Sequence, residues 1–543
     1  MSELRVIPLG GFGEVGMNLL VYEHGDDAIV VDCGMMLPDD AAPGVDAIVP
    51  EMTYLFENAS KVRALFVTHG HEEHIGAIPF LLDKLALPVY AMPLTLAFVA
   101  ERLAERGIDD IELRAMLPRN VVEVGPFRVE ALRVTHSMSD ALGFAITTPS
   151  GTIIHTGDFK LDHTPVDGQP TDLARFAHYG EQGVTLLVSD STNALAAGHS
   201  QSERSVSVVF DRIFADAPGR IIIAVSALDL HRVQTVVDAA VRHRRRVFVI
   251  GSTLIDNIEI AEKLEHLRFP ETTRTSTTDL HPRSLVILTA GAQGEPSSAL
   301  TRMAIGEHRE ITIEKDDRVV IASQTLIGNE RQVTHMIDNL YRRGAKVYDP
   351  HSGVHVSGHA HREELKLMLS VTRPRFFIPM HGTLRDLKHH ALLAREAGVP
   401  HGVVISNGQV AVLDRGELHV LADSVPHGRV FIDAEAEEVP DVVVRDRQHL
   451  AEDGFVIAVV AVSPNGRLIR DPEIITRGLV DADEGGDVLP EVRQMLVGMF
   501  DESAADELRD SDLLQEKIRA LLKRYFRKSM GARPMILPVI WET

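Results

Sequence analysis

Cysteine, tryptophan and long apolar runs are scarce in this 543-residue chain. Its single cysteine, Cys33, excludes a disulfide framework and is typical of a protein from a reducing compartment. No apolar run reaches membrane-spanning length, so we expect no membrane partner. The N-terminus lacks the charged and apolar regions of a signal peptide, and we therefore expect a cytoplasmic protein.

Positive charge is also in short supply. The chain has 55 Lys and Arg against 78 Asp and Glu, which gives a formal net charge of −23. Taken alone, this balance argues against a nucleic-acid partner. Two basic runs oppose it, and each could be a phosphate-binding surface or an ordinary solvated helix face. They are residues 242–246 and the set Lys523, Arg524, Arg527, Lys528 and Arg533.

The most informative stretch is residues 68–76, Thr-His-Gly-His-Glu-Glu-His-Ile-Gly. It follows an apolar run that predicts a buried strand. His69 and His71 alternate, while His71 and His74 are three apart, as on one face of a helical turn. Imidazole and carboxylate without thiolate suit Zn or Mn and leave room for water. Three histidines in six residues favour a metal site over a solvated loop.

Three further ligand candidates each follow a predicted strand. They are His136 after residues 127–134, Asp158 after residues 151–154, and His381 after residues 376–380. Binding sites in α/β sheets lie outside the carboxyl ends of the strands. A lone histidine in such a place is more often a core or loop residue. Four strand-end positions together predict a metal centre.

The histidine pattern resembles the signature of the metallo-β-lactamase superfamily, His-x-His-x-Asp-His. Further motifs resemble the bacterial ribonuclease J family, and they run from the first strand to the C-terminus. They occupy residues 10–18, 31–34, 189–193, 293–296, 328–330, 354–360 and 533–538. The stretch Val-His-Val-Ser-Gly-His within 354–360 is the most specific, and it is similar to the β-CASP branch, which processes nucleic acids.

The resemblance implies an α/β fold in about three domains, as the chain length also suggests. It is a metallo-β-lactamase αββα sandwich with an inserted β-CASP α/β domain and a small C-terminal α/β domain. The sandwich would occupy residues 1–205 and 353–440, on either side of the insertion at 206–352. A linker at 441–454 would lead to an oligomerisation-type domain at 455–543. Strand–helix alternation within the insertion predicts a parallel sheet there.

The resemblance also assigns ligands to two divalent metal ions, Zn or Mn. The first ion would be held by His69, His71 and His136. The second would be held by Glu73, His74 and His381, with Asp158 bridging the two. The family has Asp where this chain has Glu73, and we therefore expect the second ion to bind more weakly than in relatives with Asp.

Catalytic roles follow from the same resemblance. His359 would contact the scissile phosphate and protonate the leaving oxygen, since a histidine titrates near working pH. Asp190 would pair with His359 or a neighbouring residue, Asp158 would serve both metals, and Asp32 would orient a ligand histidine through a hydrogen bond.

We expect two segments to bind substrate. Backbone N–H groups of one would hold phosphate, although Ser-Gly-His alone is also an ordinary turn; it comprises His355, Val356, Ser357, Gly358 and His359. The other comprises Leu228, Asp229, His231 and Arg232. Here Asp229 replaces the family's Asn, Ser252 stands where the family has Arg, and residues 383–385 lack the usual Glu-Tyr. These changes bear on substrate affinity more than on chemistry.

The sequence thus predicts a metal-dependent ribonuclease, a 5′-to-3′ exonuclease with endonuclease ability on single-stranded RNA. By resemblance it would prefer 5′-monophosphate ends, act in rRNA processing and mRNA decay, form a homodimer or homotetramer, and meet RNA-decay partner proteins. Two alternatives stay open. One is a catalytically weakened paralogue that binds RNA or assists assembly, and the other is hydrolysis of a small ester, thioester or lactam.

Overall fold

The computed structural model describes residues 3–38, 42–326, 328–435, 437–479 and 488–542. The chain divides into two compact units. The first comprises Met1–Leu37 and Ile48–Arg429, and the second comprises Pro38–Ala47 and Val430–Thr543. The second unit therefore begins eleven residues before the predicted linker and also takes up a short segment from near the N-terminus.

The first unit opens with short strands separated by a few helices. In chain order they are β1 (Leu4–Gly10), β2 (Phe12–Gly13), β3 (Leu19–His24), β4 (Asp27–Val31), β5 (Ala47–Pro50), α1 (Thr53–Glu57), β6 (Val62–Phe66), α2 (Glu72–Ile75), α3 (Ile78–Leu82), β7 (Val89–Ala91), α4 (Pro93–Glu105), β8 (Leu113–Ala115), β9 (Val121–Val124), β10 (Phe127–Arg133), β11 (Leu142–Thr148), β12 (Gly151–His155), α5 (Leu173–Gln182) and β13 (Leu186–Asp190).

Strands and helices then alternate strictly, as predicted for the insertion. The elements are α6 (Arg204–Asp216), β14 (Ile221–Ala224), α7 (Leu230–Arg242), β15 (Arg246–Ile250), α8 (Ser252–Lys263), β16 (Leu285–Thr289), α9 (Ala299–Ile305), β17 (Arg318–Ile321), α10 (Glu330–Arg342) and β18 (Lys346–Tyr348). They form a parallel five-stranded sheet in the order β15-β16-β14-β17-β18. Helical crossovers suit parallel neighbours because the chain must return to the same end of the sheet.

The chain then returns to the first part of the unit. The remaining elements are α11 (Arg362–Thr372), β19 (Phe376–Met380), β20 (Gly382–Thr383), α12 (Leu384–Glu396), β21 (His401–Gly402), β22 (Gln409–Asp414) and β23 (Glu417–Ser424). Strand β19 pairs in parallel with β13, so the insertion lies between two neighbouring strands of one sheet. This sheet has the order β21-β19-β13-β12-β11-β10-β9, and a second has the order β23-β22-β1-β3-β4-β6-β7-β8.

The two sheets pack face to face. Their inner side chains form one core, in which the rings of Phe66 and Phe144 lie 5.8 Å apart. Burying one such side chain contributes roughly 1.5–3 kcal/mol. The outer face of the seven-stranded sheet is covered by α5, α11 and α12, and α4 packs against β7 and β8 of the other sheet. The arrangement is the predicted αββα sandwich.

The second unit is a small α/β fold. The C-terminal elements are β24 (Arg429–Ile432), β25 (Glu438–Val439), α13 (Asp441–Asp453), β26 (Phe455–Val462), β27 (Glu473–Arg477), α14 (Val488–Glu502), α15 (Ala505–Arg509), α16 (Ser511–Ser529) and β28 (Met535–Glu542). A sheet of order β27-β26-β28 packs on α14 and α16. The segment 441–454, predicted as a linker, is mostly the helix α13, which Pro440 precedes and Gly454 ends. Charged residues spread along this segment conceal its helical character in the sequence.

No helix in the described ranges is long and apolar enough to cross a membrane.

Candidate metal centre

Strand ends bring the predicted ligands together. His69 and His71 follow β6, His136 follows β10, Asp158 follows β12, and His381 follows β19. Buried apolar strands fix the backbone up to these points, and the polar side chains begin where the strands stop. Asp32 and His381 adopt left-handed backbone conformations, with φ of 62° and 51°. Such strain persists only where the surrounding packing holds it, and it is common at functional sites.

Three histidines form the first ligand cluster: His69, His71 and His136. Nδ1 of His71 lies 3.0 Å from Nε2 of His69 and 3.2 Å from Nε2 of His136. Burial lowers the pKa of all three rings, to about 4 for His71. Neutral imidazoles offer lone pairs, so at neutral pH the cluster is ready to bind a cation.

The second cluster combines carboxylates with histidines: Glu73, His74, Asp158 and His381. Nε2 of His74 lies 3.2 Å from Oδ2 of Asp158, and Nε2 of His381 lies 3.8 Å from Oε1 of Glu73. Within the described part of the chain, Nε2 of His381 is buried and makes no hydrogen bond. A buried ring nitrogen aimed at a carboxylate without bonding to it fits a metal ligand. Oxygen and imidazole donors in this number suit Zn or Mn.

Asp32 lies directly behind the second cluster. Its carboxylate accepts hydrogen bonds from the backbone N–H of Thr68 (2.7 Å) and from the Thr68 hydroxyl (2.9 Å). Oδ2 of Asp32 also lies 2.8 Å from Nδ1 of His74. This contact turns Nε2 of His74 towards Asp158, because the two ring nitrogens face opposite ways. Thr68 was not predicted, although it directly precedes the histidine motif.

His359 faces both clusters from the loop after β18. Its Nδ1 lies 2.8 Å from Oδ2 of Asp190 and 3.9 Å from Oδ2 of Asp158. Burial alone would lower the pKa of His359, but the Asp190 carboxylate outweighs it and raises the pKa to about 9. Asn193, which was not predicted as a site residue, donates to Oγ of Ser357 and to the carbonyl of His359. The ring is therefore charged at neutral pH and held in place.

The loop that carries His359 also supports the first cluster. The Gly358 carbonyl lies 2.8 Å from Nδ1 of His136 and orients that ring. A Cβ at position 358 would lie 2.8 Å from the His136 ring, so only glycine fits this approach. Val356 is buried, while His355 and Ser357 are half-buried. The carbonyls of Gly358 and His359 are thus engaged by neighbouring side chains, and the His359 N–H donates to Oγ of Ser357.

Three buried charged side chains, those of Lys160, Glu203 and Arg232, hold this loop in place. Lys160 donates to the Ser357 carbonyl (3.1 Å), and Arg232 donates to the Val354 carbonyl (2.6 Å). Glu203 joins the two cations, with oxygens 3.5 Å from Nζ of Lys160 and 2.9 Å from Arg232. Lys160 and Arg232 are completely buried. Neither Lys160 nor Glu203 was predicted, because nothing in the sequence brings them near Arg232.

The predicted substrate-binding segment lies at the start of α7, and its side chains contact the same network and its surroundings. Arg232 positions the loop by donating a hydrogen bond to the backbone carbonyl of Val354. Its side chain is completely buried, so it has no exposed surface for direct substrate contact. Asp229 is buried and caps α7 by accepting from the Arg232 N–H, which is a sufficient reason for a carboxylate there. Nε2 of His231 forms a hydrogen bond with Oγ of Ser139 at 2.8 Å. His231 also lines a cavity of about 580 Å³, and His136 is among the other lining residues. Leu228 is half-buried.

Family models match nearly the whole chain. The metallo-beta-lactamase superfamily matches residues 13–222, and the ribonuclease J beta-CASP domain matches 218–340. The Zn-dependent metallo-hydrolase RNA specificity domain matches 350–404, and the ribonuclease J C-terminal domain matches 442–543. The last match begins within the predicted linker, in agreement with the helix found there.

Similar proteins span the full length. A ribonuclease J of Synechocystis is 38% identical over 98% of this chain and 86% of its own. Ribonuclease J2 of Bacillus subtilis is 37% identical over 100% of this chain and 99% of its own. Ribonuclease J of Thermus thermophilus is 37% identical over 100% of this chain and 96% of its own.

One solved structure, a protein of unknown function from Enterococcus faecalis, is alike in fold alone. It covers 77% of this chain and 100% of its own, with a TM-score of 0.53 at 16% identity. The predicted resemblance and fold class are confirmed by the family models and the relatives together. The chain belongs to the ribonuclease J family of the metallo-β-lactamase superfamily.

Proposed function

We propose that this protein is a metal-dependent ribonuclease that degrades single-stranded RNA from the 5′ end and also cuts internally. The observation that carries the proposal is the convergence of two ligand clusters on His359, in a chain with an RNA specificity domain and ribonuclease J relatives. Those findings support a hydrolytic nuclease that binds RNA. The direction of degradation and the preference for 5′-monophosphate ends are our extension.

Two divalent ions, Zn or Mn, would be held by the two clusters. The first would take His69, His71 and His136, and the second would take Glu73, His74 and His381, with Asp158 between them. When bound, the ions would lower the pKa of water and offset charge on the attacked phosphate. The Asp32 carboxylate orients the ring of His74, and the Gly358 carbonyl orients the ring of His136, without the help of a bound ion.

His359 would supply the proton for the leaving oxygen. Its ring carries a proton at neutral pH because Asp190 raises its pKa to about 9. General acid catalysis of this kind contributes roughly 10²–10⁴-fold to a rate. Asp190 keeps Nδ1 of His359 engaged, and Nε2 is left for the substrate. The N–H groups of residues 355–358 would hold phosphate oxygens without reading base sequence, while the His359 N–H donates to Oγ of Ser357.

Glu73 decides between an active enzyme and a weakened paralogue. Its oxygen lies within 4.8 Å of the other three ligand atoms of the second cluster, so the longer side chain reaches the site. This favours activity. The inserted domain and the RNA specificity domain favour RNA over a small ester, thioester or lactam.

We place this enzyme in the cytoplasm, in rRNA processing and mRNA decay, as a homodimer or homotetramer that meets RNA-decay partner proteins. Its oligomeric state is checked by light scattering, and a monomer at micromolar concentration would contradict that part of the proposal.

The main test uses end-labelled single-stranded RNA carrying a 5′-monophosphate, a 5′-triphosphate or a 5′-hydroxyl, incubated with the protein and Mn²⁺. We expect mononucleotides from the 5′-monophosphate RNA first, and no products from His71→Ala. Cleavage that is independent of the 5′ group would remove the end preference. Bound but uncleaved RNA would support the weakened paralogue instead.

A further inference from the structure

We propose that the exposed basic face of α16 is a second RNA-binding surface, separate from the metal centre. It would hold the phosphates of single-stranded RNA beyond the segment that occupies the active site. The inference rests on the proposed ribonuclease function. We define the α16 basic face as Lys523, Arg524, Arg527 and Lys528.

The charge of this segment opposes that of the whole chain. The net charge is −23, yet residues 517–541 contain no Asp or Glu. The basic residues in that stretch are Lys517, Arg519, Lys523, Arg524, Arg527, Lys528 and Arg533. A protein with an acidic excess binds phosphate only where positive charge is concentrated, and this is the longest such concentration along the chain.

The fold turns these side chains outwards. Leu514, Ile518, Leu522 and Phe526 are buried in the core of the second unit. The four residues of the α16 basic face lie on the opposite side and are exposed. The apolar side chains of the helix along this stretch therefore face the core, and its solvent-facing side carries the charged residues.

Among the residues that the structure describes, the α16 basic face has no acidic partner. Lys517 and Arg519, one turn earlier, are paired with Glu507 and Glu516. Within the described part of the chain, Lys523, Arg524, Arg527 and Lys528 make no ion pair or side-chain hydrogen bond. Counting described residues alone, the cations of this helix are thus paired with carboxylates up to Arg519 and unpaired beyond it.

The other basic run, residues 242–246, shows what a structural use of such charge looks like. Arg245 is buried and donates to backbone carbonyls at and just beyond the end of α6. Arg242 pairs with Asp211, and Arg246 donates to the Arg274 carbonyl. Most basic side chains of residues 242–246 therefore bind other groups of the protein, whereas those of the α16 basic face make no ion pair with a described residue.

Helix stability does not account for the α16 basic face. Cations in the last turn favour a helix because they interact with its dipole, which suits Arg527 and Lys528. Lys523 and Arg524 lie one turn earlier, and each stands four residues before another cation. Like charges at that spacing repel each other and destabilise a helix. A polyanion lying along the face would relieve this repulsion.

RNA fits the face better than a membrane does. A helix that binds anionic lipid also inserts an apolar side, but the apolar side of α16 is used by the core. Phosphates along a flexible single strand require only spaced cations and no base recognition. RNA is also the polyanion that this enzyme would have to hold during repeated cleavage.

The test compares two charge-matched variants of the full-length protein. The first carries Lys523→Gln, Arg524→Gln, Arg527→Gln and Lys528→Gln. The control changes four exposed arginines elsewhere in the second unit to Gln: Arg467, Arg470, Arg477 and Arg493. Thermal unfolding of both checks that they fold. Binding is measured by fluorescence anisotropy with a phosphorothioate single-stranded RNA of about 30 nucleotides over a range of salt.

We expect the α16 variant to bind the long RNA about tenfold or more weakly, with a salt slope lower by roughly 0.7 for each lost phosphate contact. The control should match the unmodified protein, and kcat/KM on a short 5′-monophosphate RNA should be unchanged in both. Equal affinity and slope for the α16 variant and the control would overturn the proposal, whatever else that face binds. Failure of the unmodified protein to cleave RNA would instead refute the proposed function, and the binding comparison would still be readable.

Discussion

The two ligand clusters differ in how firmly the protein builds them. The first consists of three imidazoles, two of them buried, and the Gly358 carbonyl and the neighbouring rings orient them. The second depends on Glu73, whose side chain is 30% exposed and whose oxygen stays 3.8 Å from His381. Among the ligands, the departure from the family signature falls on the second cluster alone. The comparison indicates one firm site and one adjustable site.

Breaking the first cluster should have the largest effect. His71 contacts both other rings, so His71→Ala leaves no complete donor set. We expect kcat/KM on RNA to fall about 10³-fold or more, since a catalytic ion supplies several kcal/mol. Bound metal per chain should fall as well. His335→Ala, an exposed histidine on α10, serves as the control, and an active His71→Ala protein would contradict the assignment.

The next effect concerns the acid that both clusters share. Asp190→Asn removes the carboxylate that raises the pKa of His359. We expect kcat to fall roughly 10²-fold. Because a raised pKa keeps the proton on His359 below about pH 9 and loses it above, the alkaline limb of the kcat profile should move to lower pH in the variant. An unmoved limb with lowered kcat would mean that Asp190 acts only on structure.

Loosening the loop behind the first cluster should cost stability and some activity. Arg232→Met leaves Glu203 buried beside Lys160 alone, and loss of one partner in a buried pair costs about 3–5 kcal/mol. Denaturant unfolding measures this change. Because this loop orients the ring of His136, displacing it should also reduce metal affinity or activity about 10–100-fold.

A triple variant separates loop position from loss of charge balance. Lys160→Met, Glu203→Leu and Arg232→Met together remove all three buried charges, so most of the stability should return. Metal affinity at the first cluster should stay low, because the Val354 carbonyl is still released. Full recovery of metal affinity along with stability would show that the network does not position the loop.

The smallest effect sharpens the second cluster. Glu73→Asp restores the family residue and shortens the side chain by one methylene. We expect the second ion to bind more tightly, by about tenfold, with little change at the first. Activity should then need less added Mn²⁺. Isothermal titration with Mn²⁺ checks this, and unchanged affinity would show that Glu73 ligates as well as Asp.

The ligands could be predicted from the sequence because each follows an apolar strand or lies in a short motif. That pattern and the rule that sites lie at strand ends marked His69 to His74, His136, Asp158 and His381 as candidates, and the family resemblance assigned them to two ions. The parallel sheet of the insertion could be predicted because apolar strands and helical segments alternate along the sequence. Periodicity and residue type report on burial and chemistry within a few positions.

The supporting residues could not be predicted in this way. Lys160 and Glu203 lie far apart in sequence from Val354, and their contacts appear only when the inserted domain packs beside the loop. Arg232 sits in a motif that suggests substrate contact, yet tertiary packing buries it completely. The helix α13 was hidden because its charged sequence lacks a clear apolar stripe, and only Val444 of that helix is buried.

If one metal site is firm and the other adjustable, the two ions should bind at different concentrations. The unmodified protein would be dialysed to equilibrium against increasing buffered Mn²⁺, and bound Mn per chain measured by mass spectrometry. We predict two steps, one ion at low free Mn²⁺ and a second at about tenfold or higher concentration. Two ions bound in a single step, or none at the lower step, would show that the two sites do not differ in this way.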